Sequence, residues 1–234
     1  MSRLLASTAA VALLSTAAFA ADLPLPVEPM EEVVAAPAYD WSGVYIGASG
    51  GFGWGDYDYI FTQVAGTPNV GNDLEGWVAG GQIGYNWQSG MFVLGAVADI
   101  SWSDIEGNAA CPNPAFTCNV DVEWFGTVRG NVGVALDRFL IYGTGGFAYG
   151  GIERQSAGGG AAITQDETHI GWAAGGGIGF GVTNNLTIGA EALFVNLDNE
   201  TYAAVPPLFS QVDIGADFVV VRGSANFKFG AVAP

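Results

Sequence analysis

The segment FVVVRGSANFKF, residues 218–229, decides the fold because its side chains alternate in character. From Val219 onward every second residue is apolar or small, and this series ends in Phe227 and Phe229. The intervening residues include Arg222 and Lys228. A period of two is that of a β-strand. Because a transmembrane barrel turns one wall of each strand to lipid and the other to its lumen, this pattern predicts such a strand.

The same alternation occurs in a hairpin upstream, on either side of the turn Ser89-Gly90. Along its apolar wall an aromatic residue recurs after ten positions, from Trp77 to Trp87 and from Phe92 to Trp102. Ten residues at ~3.3 Å each, tilted by ~40°, climb about 25 Å, the height of the lipid-facing band of a barrel. We therefore predict aromatic girdles at both membrane interfaces, formed by Trp77, Trp87, Phe92, Trp102, Trp124, Trp172, Phe227 and Phe229.

Residues 41–229 contain eight segments of this kind. Long connections are predicted after strands 1, 3, 5 and 7, among them residues 56–73, 104–119 and 154–167, and short turns after strands 2, 4 and 6. This order is typical of barrels with short periplasmic turns and longer extracellular loops. The predicted fold is all-β, an eight-stranded antiparallel up-and-down transmembrane β-barrel.

The polar walls of the predicted strands carry charges of both signs. Because these side chains would share one narrow lumen, we predict that they form an internal ion-pair network. Its predicted members are Asp99, Glu123, Arg129, Glu191, Arg222 and Lys228.

The first twenty residues resemble a secretory signal peptide. They contain Arg3, an apolar stretch rich in Leu and Ala, and the A-x-A cleavage signal Ala18-Phe19-Ala20. A transmembrane anchor is the alternative, but Ser and Thr interrupt the apolar run. Residues 21–40, which are rich in proline and acids, are predicted to form an extended periplasmic linker, and residues 230–234 a short tail.

Charge and composition exclude one class of function. The chain has 234 residues, 36 of them Gly, and a formal net charge of −17. So acidic a chain repels nucleic-acid phosphates, and its few basic residues form no patch, so we expect no nucleic-acid partner.

The two cysteines, Cys111 and Cys118, lie within the short segment CPNPAFTC. Because an exported protein reaches an oxidising compartment, we predict that they form a disulfide. A metal site is the alternative, but it would need further Cys or His residues nearby.

Two glycine-rich motifs match catalytic or nucleotide-binding patterns in form. Residues 47–51 read G-x-S-x-G and residues 143–148 read G-x-G-x-x-A, but neither is followed by the helix that its function requires. We therefore predict no catalytic residue, cofactor site or metal site. His169, the single histidine, is either a ligand at a binding rim or a plain rim residue. Four further carboxylates are expected to lie in solvated acidic loops, and Ca²⁺ binding is the alternative. They are Asp56, Asp58, Asp73 and Asp104.

Several of these segments resemble one family. The signal peptide, the Asp22-Leu23-Pro24 start, the opening WSGVYIGASGGFGWG (41–55), YGTGGFAYG (142–150) and the closing VVVRGSANFKF (219–229) are similar to the RopB-type outer-membrane proteins of alphaproteobacteria, which include the major surface antigens of Brucella. The resemblance covers the whole chain. It implies an OmpA-like barrel of the "porin family", placed in the outer membrane of a Gram-negative bacterium. Such chains commonly end on an aromatic residue, whereas GAVAP follows Phe229 here.

The leading functional hypothesis is a non-enzymatic structural and surface protein that supports envelope integrity and displays loops. Its expected partners are the outer-membrane bilayer, lipopolysaccharide, the barrel-assembly machinery, and host or envelope molecules that contact the loops. A narrow porin-like channel is the main alternative, and surface binding of a ligand such as haem is a further one. An outer-membrane enzyme and a secreted lipocalin-like barrel are less consistent with the sequence.

Overall fold

The computed structural model describes residues 39–61, 70–110, 115–158, 160–205 and 211–229. Eight antiparallel strands close into a barrel in sequence order, with β1 paired to β8, so the predicted fold class is confirmed. The strands are β1 (Gly43–Phe61), β2 (Val70–Ser89), β3 (Phe92–Ala110), β4 (Phe116–Leu136), β5 (Phe139–Gly158), β6 (Ala161–Gly181), β7 (Leu186–Tyr202) and β8 (Val212–Lys228). Among the described residues, no helix is long and apolar enough to cross a bilayer.

The pairing register sets the tilt of the strands. A path along paired residues from Ser89 of β2, once around the barrel, returns to β2 at Ala79, ten residues away. A stagger of this size in a closed eight-stranded sheet corresponds to a tilt of roughly 40°. We call the end that carries the β2–β3, β4–β5 and β6–β7 turns the lower, periplasmic end, and the opposite end the upper end.

The strands are longer than a bilayer requires. They contain 17 to 21 residues, whereas about 9–11 residues suffice to cross the hydrocarbon. The excess lies at the upper end, where β5 and β6 pair as far as Gly158 and Ala161. The predicted long connection 154–167 is therefore wrong, and strands also extend into 56–73 and 104–119. These segments are strands and not loops because backbone pairing between neighbouring strands continues above the membrane.

The lipid-facing wall follows the predicted alternation. In β2 and β3, Trp77, Trp87, Phe92 and Trp102 are all about half exposed or more. Trp172, Phe227 and Phe229 are exposed in the same way, and Trp124 is half-buried against Tyr149. We call the part of the wall between Trp87 and Trp77, and its equivalent in the other strands, the membrane-spanning part.

Candidate functional site

Four charged side chains meet inside the membrane-spanning part. Asp99 of β3 lies 3.0 Å from Arg129 of β4 and 3.1 Å from Arg222 of β8. Glu191 of β7 contacts the same two arginines, at 3.1 Å and 2.9 Å. Two cations therefore alternate with two anions in a closed ring, which we call the charge network. Asp99 and the two arginines are 2% exposed or less at their side chains, and Glu191 is 10% exposed.

Neutral side chains satisfy the remaining donors and acceptors of the charge network. The Thr127 hydroxyl donates to Asp99 Oδ2 at 2.5 Å and accepts from Arg129 Nε at 2.8 Å. The Tyr142 hydroxyl donates to Glu191 Oε2 at 3.0 Å. Since the buried charges cancel and are hydrogen-bonded, the network avoids the large cost of an unpaired buried ion.

A cavity of about 70 Å³, with both apolar and polar groups in its wall, lies on the lower side of the charge network. It has room for several water molecules, since each needs roughly 10–15 Å³ by this measure. Amide and hydroxyl groups supply hydrogen-bonding partners in its wall: Gln82, Asn86, Asn131, Ser224 and Asn226.

Two aromatic residues close the lower mouth of the barrel. Tyr39 and Trp41, which precede β1, are buried and pack edge to face with their ring centroids 5.0 Å apart. Asp137 in the β4–β5 turn holds both: its Oδ1 accepts from the Tyr39 backbone N–H, and its carbonyl accepts from Trp41 Nε1, each at 3.0 Å. Asp137 has a φ of 53°, which is unusual for a residue other than glycine. We call Tyr39 and Trp41 the periplasmic cap.

Apolar side chains fill most of the upper half of the lumen, where a few polar side chains are also buried. Phe125 and Phe218 pack edge to face with centroids 5.3 Å apart, and both are buried. A continuous cluster extends from them above the membrane-spanning part and includes Ile105, Ile152, Leu197 and Ile214. In the part of the chain that the structure describes, the lumen is thus occupied by the periplasmic cap, the charge network and this apolar cluster.

Two residues predicted for the charge network lie elsewhere. Glu123 is exposed at a β-bulge between Val122 and Trp124, and the extra residue removes it from the alternation that predicted an inward side chain. Lys228 is buried at the lower end, where its ammonium donates to the Asp40 carbonyl and lies 4.7 Å from the Tyr39 ring centroid. It therefore lies against the periplasmic cap. The prediction that Glu123 and Lys228 belong to the charge network is wrong for both residues.

His169 is wholly buried, so the prediction of a rim residue is wrong. It faces the interior just above the membrane-spanning part, with Nδ1 2.8 Å from the Asp198 carbonyl and Nε2 3.1 Å from the Tyr202 hydroxyl. Both ring nitrogens are therefore engaged by the protein itself.

The other candidate positions show no assembled site. Ser49 lies in the middle of β1, and residues 143–148 lie in β5, so neither glycine motif precedes a helix. Within the described ranges, no group of His, Cys, Asp or Glu is arranged to hold a metal ion. Cys118 is disulfide-bonded. Its predicted partner Cys111 lies outside the described residues, as do the predicted signal peptide, most of the linker and the tail.

Sequence reasoning missed a row of carboxylates on the outer wall above the membrane-spanning part. Directly paired positions on five successive strands carry Glu75, Glu106, Asp121, Glu153 and Asp166. Partial burial, followed by repulsion from Glu106 and Glu153, raises the pKa of Asp121 to about 6. The signal in the sequence was an acid a few residues beyond each upper aromatic, such as Glu75 beyond Trp77.

The chain is similar to several known outer-membrane proteins. The family model described as outer membrane protein beta-barrel domain matches residues 6–219. The 31 kDa outer-membrane immunogenic protein of Brucella melitensis biotype 1 is 33% identical over 242 residues, covering 97% of this chain and 98% of that protein. The 22 kDa outer membrane protein of Rhizobium leguminosarum bv. viciae is 32% identical, covering 85% and 83%. The solved structure of OprG from Pseudomonas aeruginosa covers 80% of this chain and 97% of its own at 11% identity, with a TM-score of 0.45.

These relatives are Gram-negative outer-membrane proteins, and the described barrel has the eight strands that the resemblance implied. The chain therefore belongs to the OmpA-like family of outer-membrane β-barrel proteins that includes the Brucella outer-membrane immunogenic proteins.

Proposed function

We propose that this barrel is a closed, non-enzymatic structural protein of the outer membrane that supports envelope integrity and presents its upper end at the cell surface. The observation that carries the proposal is the closure of the lumen at three levels. The periplasmic cap blocks the lower mouth, the charge network spans the middle, and the apolar cluster fills the upper half. A solute would have to displace all three to pass.

The outer wall supports a role at the surface. Its membrane-spanning part is apolar, and the acidic row lies two to six residues above the upper aromatic residues of the same strands. The upper end therefore faces lipopolysaccharide and the medium, which are the partners that we propose for it. The Brucella relative is named an outer-membrane immunogenic protein, which is consistent with display at the surface.

Conductance tests this proposal directly. The refolded protein in planar bilayers is expected to form no discrete channels, although it migrates on a detergent gel as a folded barrel until it is boiled. Arg222→Ala and Glu191→Ala should also remain closed, because the apolar cluster above them is intact. In cells, deletion of the gene should increase sensitivity to detergents, and the wild-type chain should reverse the effect.

The narrow channel is the second candidate because the wall of the cavity below the charge network contains amide and hydroxyl groups. It predicts discrete channels in the wild-type protein, with a conductance or ion selectivity that changes in Arg222→Ala and Glu191→Ala. That result would overturn the closed-barrel proposal.

A further inference from the structure

Among the described strands, two ladders end early at the upper end: β2–β3 above Glu75 and Glu106, and, over a longer stretch, β6–β7. The backbone ladder between β6 and β7 stops at Gly171 and Leu197, although β6 begins at Ala161 and β7 ends at Tyr202. On the two outer sides pairing continues: β5 pairs with β6 as far as Ala161, and β7 pairs with β8 as far as Tyr202. A bulge at Asp198 and Asn199 marks the point where β7 leaves β6. We call residues 161–170 of β6 and 198–202 of β7 the outer seam.

Side-chain hydrogen bonds connect β6 and β7 across the outer seam, where backbone pairing is absent. His169 of β6 contacts the Asp198 carbonyl and the Tyr202 hydroxyl of β7. The Tyr202 hydroxyl lies 2.7 Å from the Ile152 carbonyl of β5, so the contact extends to the next strand. Farther up, Gln165 donates to the Ala203 carbonyl at 3.2 Å. The His169 contacts are the buried ones, and they lie directly above the last backbone pair.

The hydrogen atoms available to His169 determine its tautomer. The Asp198 carbonyl can only accept, so Nδ1 carries a hydrogen. In the neutral imidazole Nε2 is then an acceptor, and the Tyr202 hydroxyl has one hydrogen to share between Nε2 and the Ile152 carbonyl. Protonation would release that hydrogen to Ile152, but it would place a positive charge among apolar residues. The cost of a buried charge without a countercharge exceeds the gain of one hydrogen bond.

Within the described ranges, the carboxylates nearest to His169 are exposed. Glu167 and Glu200 are exposed, and Asp198 contacts the ring through its backbone carbonyl. On β5, Arg154 is buried and directs its guanidinium to Ser156 and Gln165. The buried apolar residues Ile152 and Leu197 lie at the same level of the lumen, since Ile152 accepts from Tyr202 and Leu197 pairs with Gly171.

We propose that His169 is a pH-dependent latch: in its neutral form it holds the outer seam closed, and its protonation in a mildly acidic medium lets β6 and β7 separate above the membrane. Burial, the largest cause, lowers the pKa of His169 below its ordinary value. The opened seam binds the proton more readily than the closed one. The stability of the closed seam is therefore fully present above the ordinary pKa of histidine and is lost as the pH falls.

Two measurements on the tag-free protein in detergent micelles test the latch. His169 is the only histidine, so a nitrogen-15 titration follows a single imidazole. Amide exchange, corrected for the intrinsic rate at each pH, reports opening of residues 161–170. Between about pH 7.5 and about pH 5 we expect exchange in this segment to rise about tenfold, while the paired upper ends of β4 and β5 stay unchanged.

Two variants separate the latch from general acid lability. His169→Phe keeps a ring of similar size without a titrating group, and its exchange should no longer depend on pH. If that variant does not fold, Tyr202→Phe keeps the ring and removes one contact, so the outer seam should exchange faster already at about pH 7.5. An acid-induced rise of equal size in His169→Phe, a wild-type protein with no rise, or slower exchange in acid would each overturn the proposal.

Discussion

Arg222 of β8 binds Asp99 of β3 across the lumen through two hydrogen bonds, Nη1 to Oδ1 at 3.1 Å and Nη2 to Oδ2 at 3.2 Å. The two strands are not neighbours in the wall, because β1 and β2 lie between them. The pair therefore fixes the cross-section of the barrel as well as neutralising two buried charges.

Removal of one arginine should destabilise the barrel more than removal of a charge pair. In Arg222→Ala, Asp99 and Glu191 share only Arg129, so we expect a loss of about 3–5 kcal/mol in the free energy of unfolding. The double variant Arg222→Ala with Glu191→Gln restores neutrality and should lose less than the single variant. Urea unfolding in micelles measures both. A double variant with the sum of the two single losses would contradict a coupled network.

Truncation of the periplasmic cap should loosen the lower mouth. Trp41→Ala removes a buried ring and its hydrogen bond to Asp137, which we expect to cost on the order of 3 kcal/mol. Proteolysis of the segment before β1 should become faster. The control is Asp40→Asn, an exposed neighbour whose backbone carbonyl still accepts from Lys228. Equal proteolysis of both variants would show that Trp41 does not hold the segment.

Neutralisation of Asp121 should stabilise the upper end at neutral pH. Its pKa is raised to about 6 in the folded state, so its ionisation opposes folding. The penalty is absent below the unfolded value near 3.8, grows as the pH rises from there to about 6, and is constant above about 6. Because the group is partly exposed, we expect Asp121→Asn to add only about 0.5–1 kcal/mol at about pH 7.5 and nothing at about pH 3.5. Asp58→Asn removes an exposed acid outside the row and is the matched control for urea unfolding at the two pH values.

Adjacent glycines in β1 should respond differently to the same substitution. A Cβ at Gly51 would lie 2.1 Å from the Val221 carbonyl oxygen and 2.6 Å from the Arg222 Cα, so the strand must move. A Cβ at Gly50 would meet its nearest neighbour at 3.7 Å, an ordinary contact. We expect Gly51→Ala to cost about 1–3 kcal/mol. Gly50→Ala should change the unfolding midpoint little, and a loss as large as that of Gly51→Ala would contradict the close packing of β1 on β8.

The lipid-facing part of the fold could be predicted because hydrocarbon imposes one rule on every strand. A strand such as 219–229 must present apolar groups outward, and Trp77 and Trp87 mark the interfaces. Register could not be predicted, since the meeting of Asp99 with Arg222 depends on closure through all eight strands. Glu123 was misplaced because one bulge residue changes which wall a side chain joins.

The upper end could not be predicted because its polarity is reversed. Above the membrane-spanning part, Ile152 faces inward and Glu153 outward, the arrangement of a water-soluble barrel. The sequence there still alternates, but with the sense opposite to that of the segment below. If apolar side chains are assumed to face lipid, this part of the sequence resembles a polar loop.

The acidic row on the upper wall has a consequence for how the protein enters its membrane. During insertion from the periplasm, Glu75, Glu106, Asp121 and their neighbours must pass through the hydrocarbon, where a charged side chain is costly. Once they reach the outer surface, the same cost opposes their return. The acidic row therefore makes insertion directional, because it opposes the return of the inserted barrel toward the periplasm.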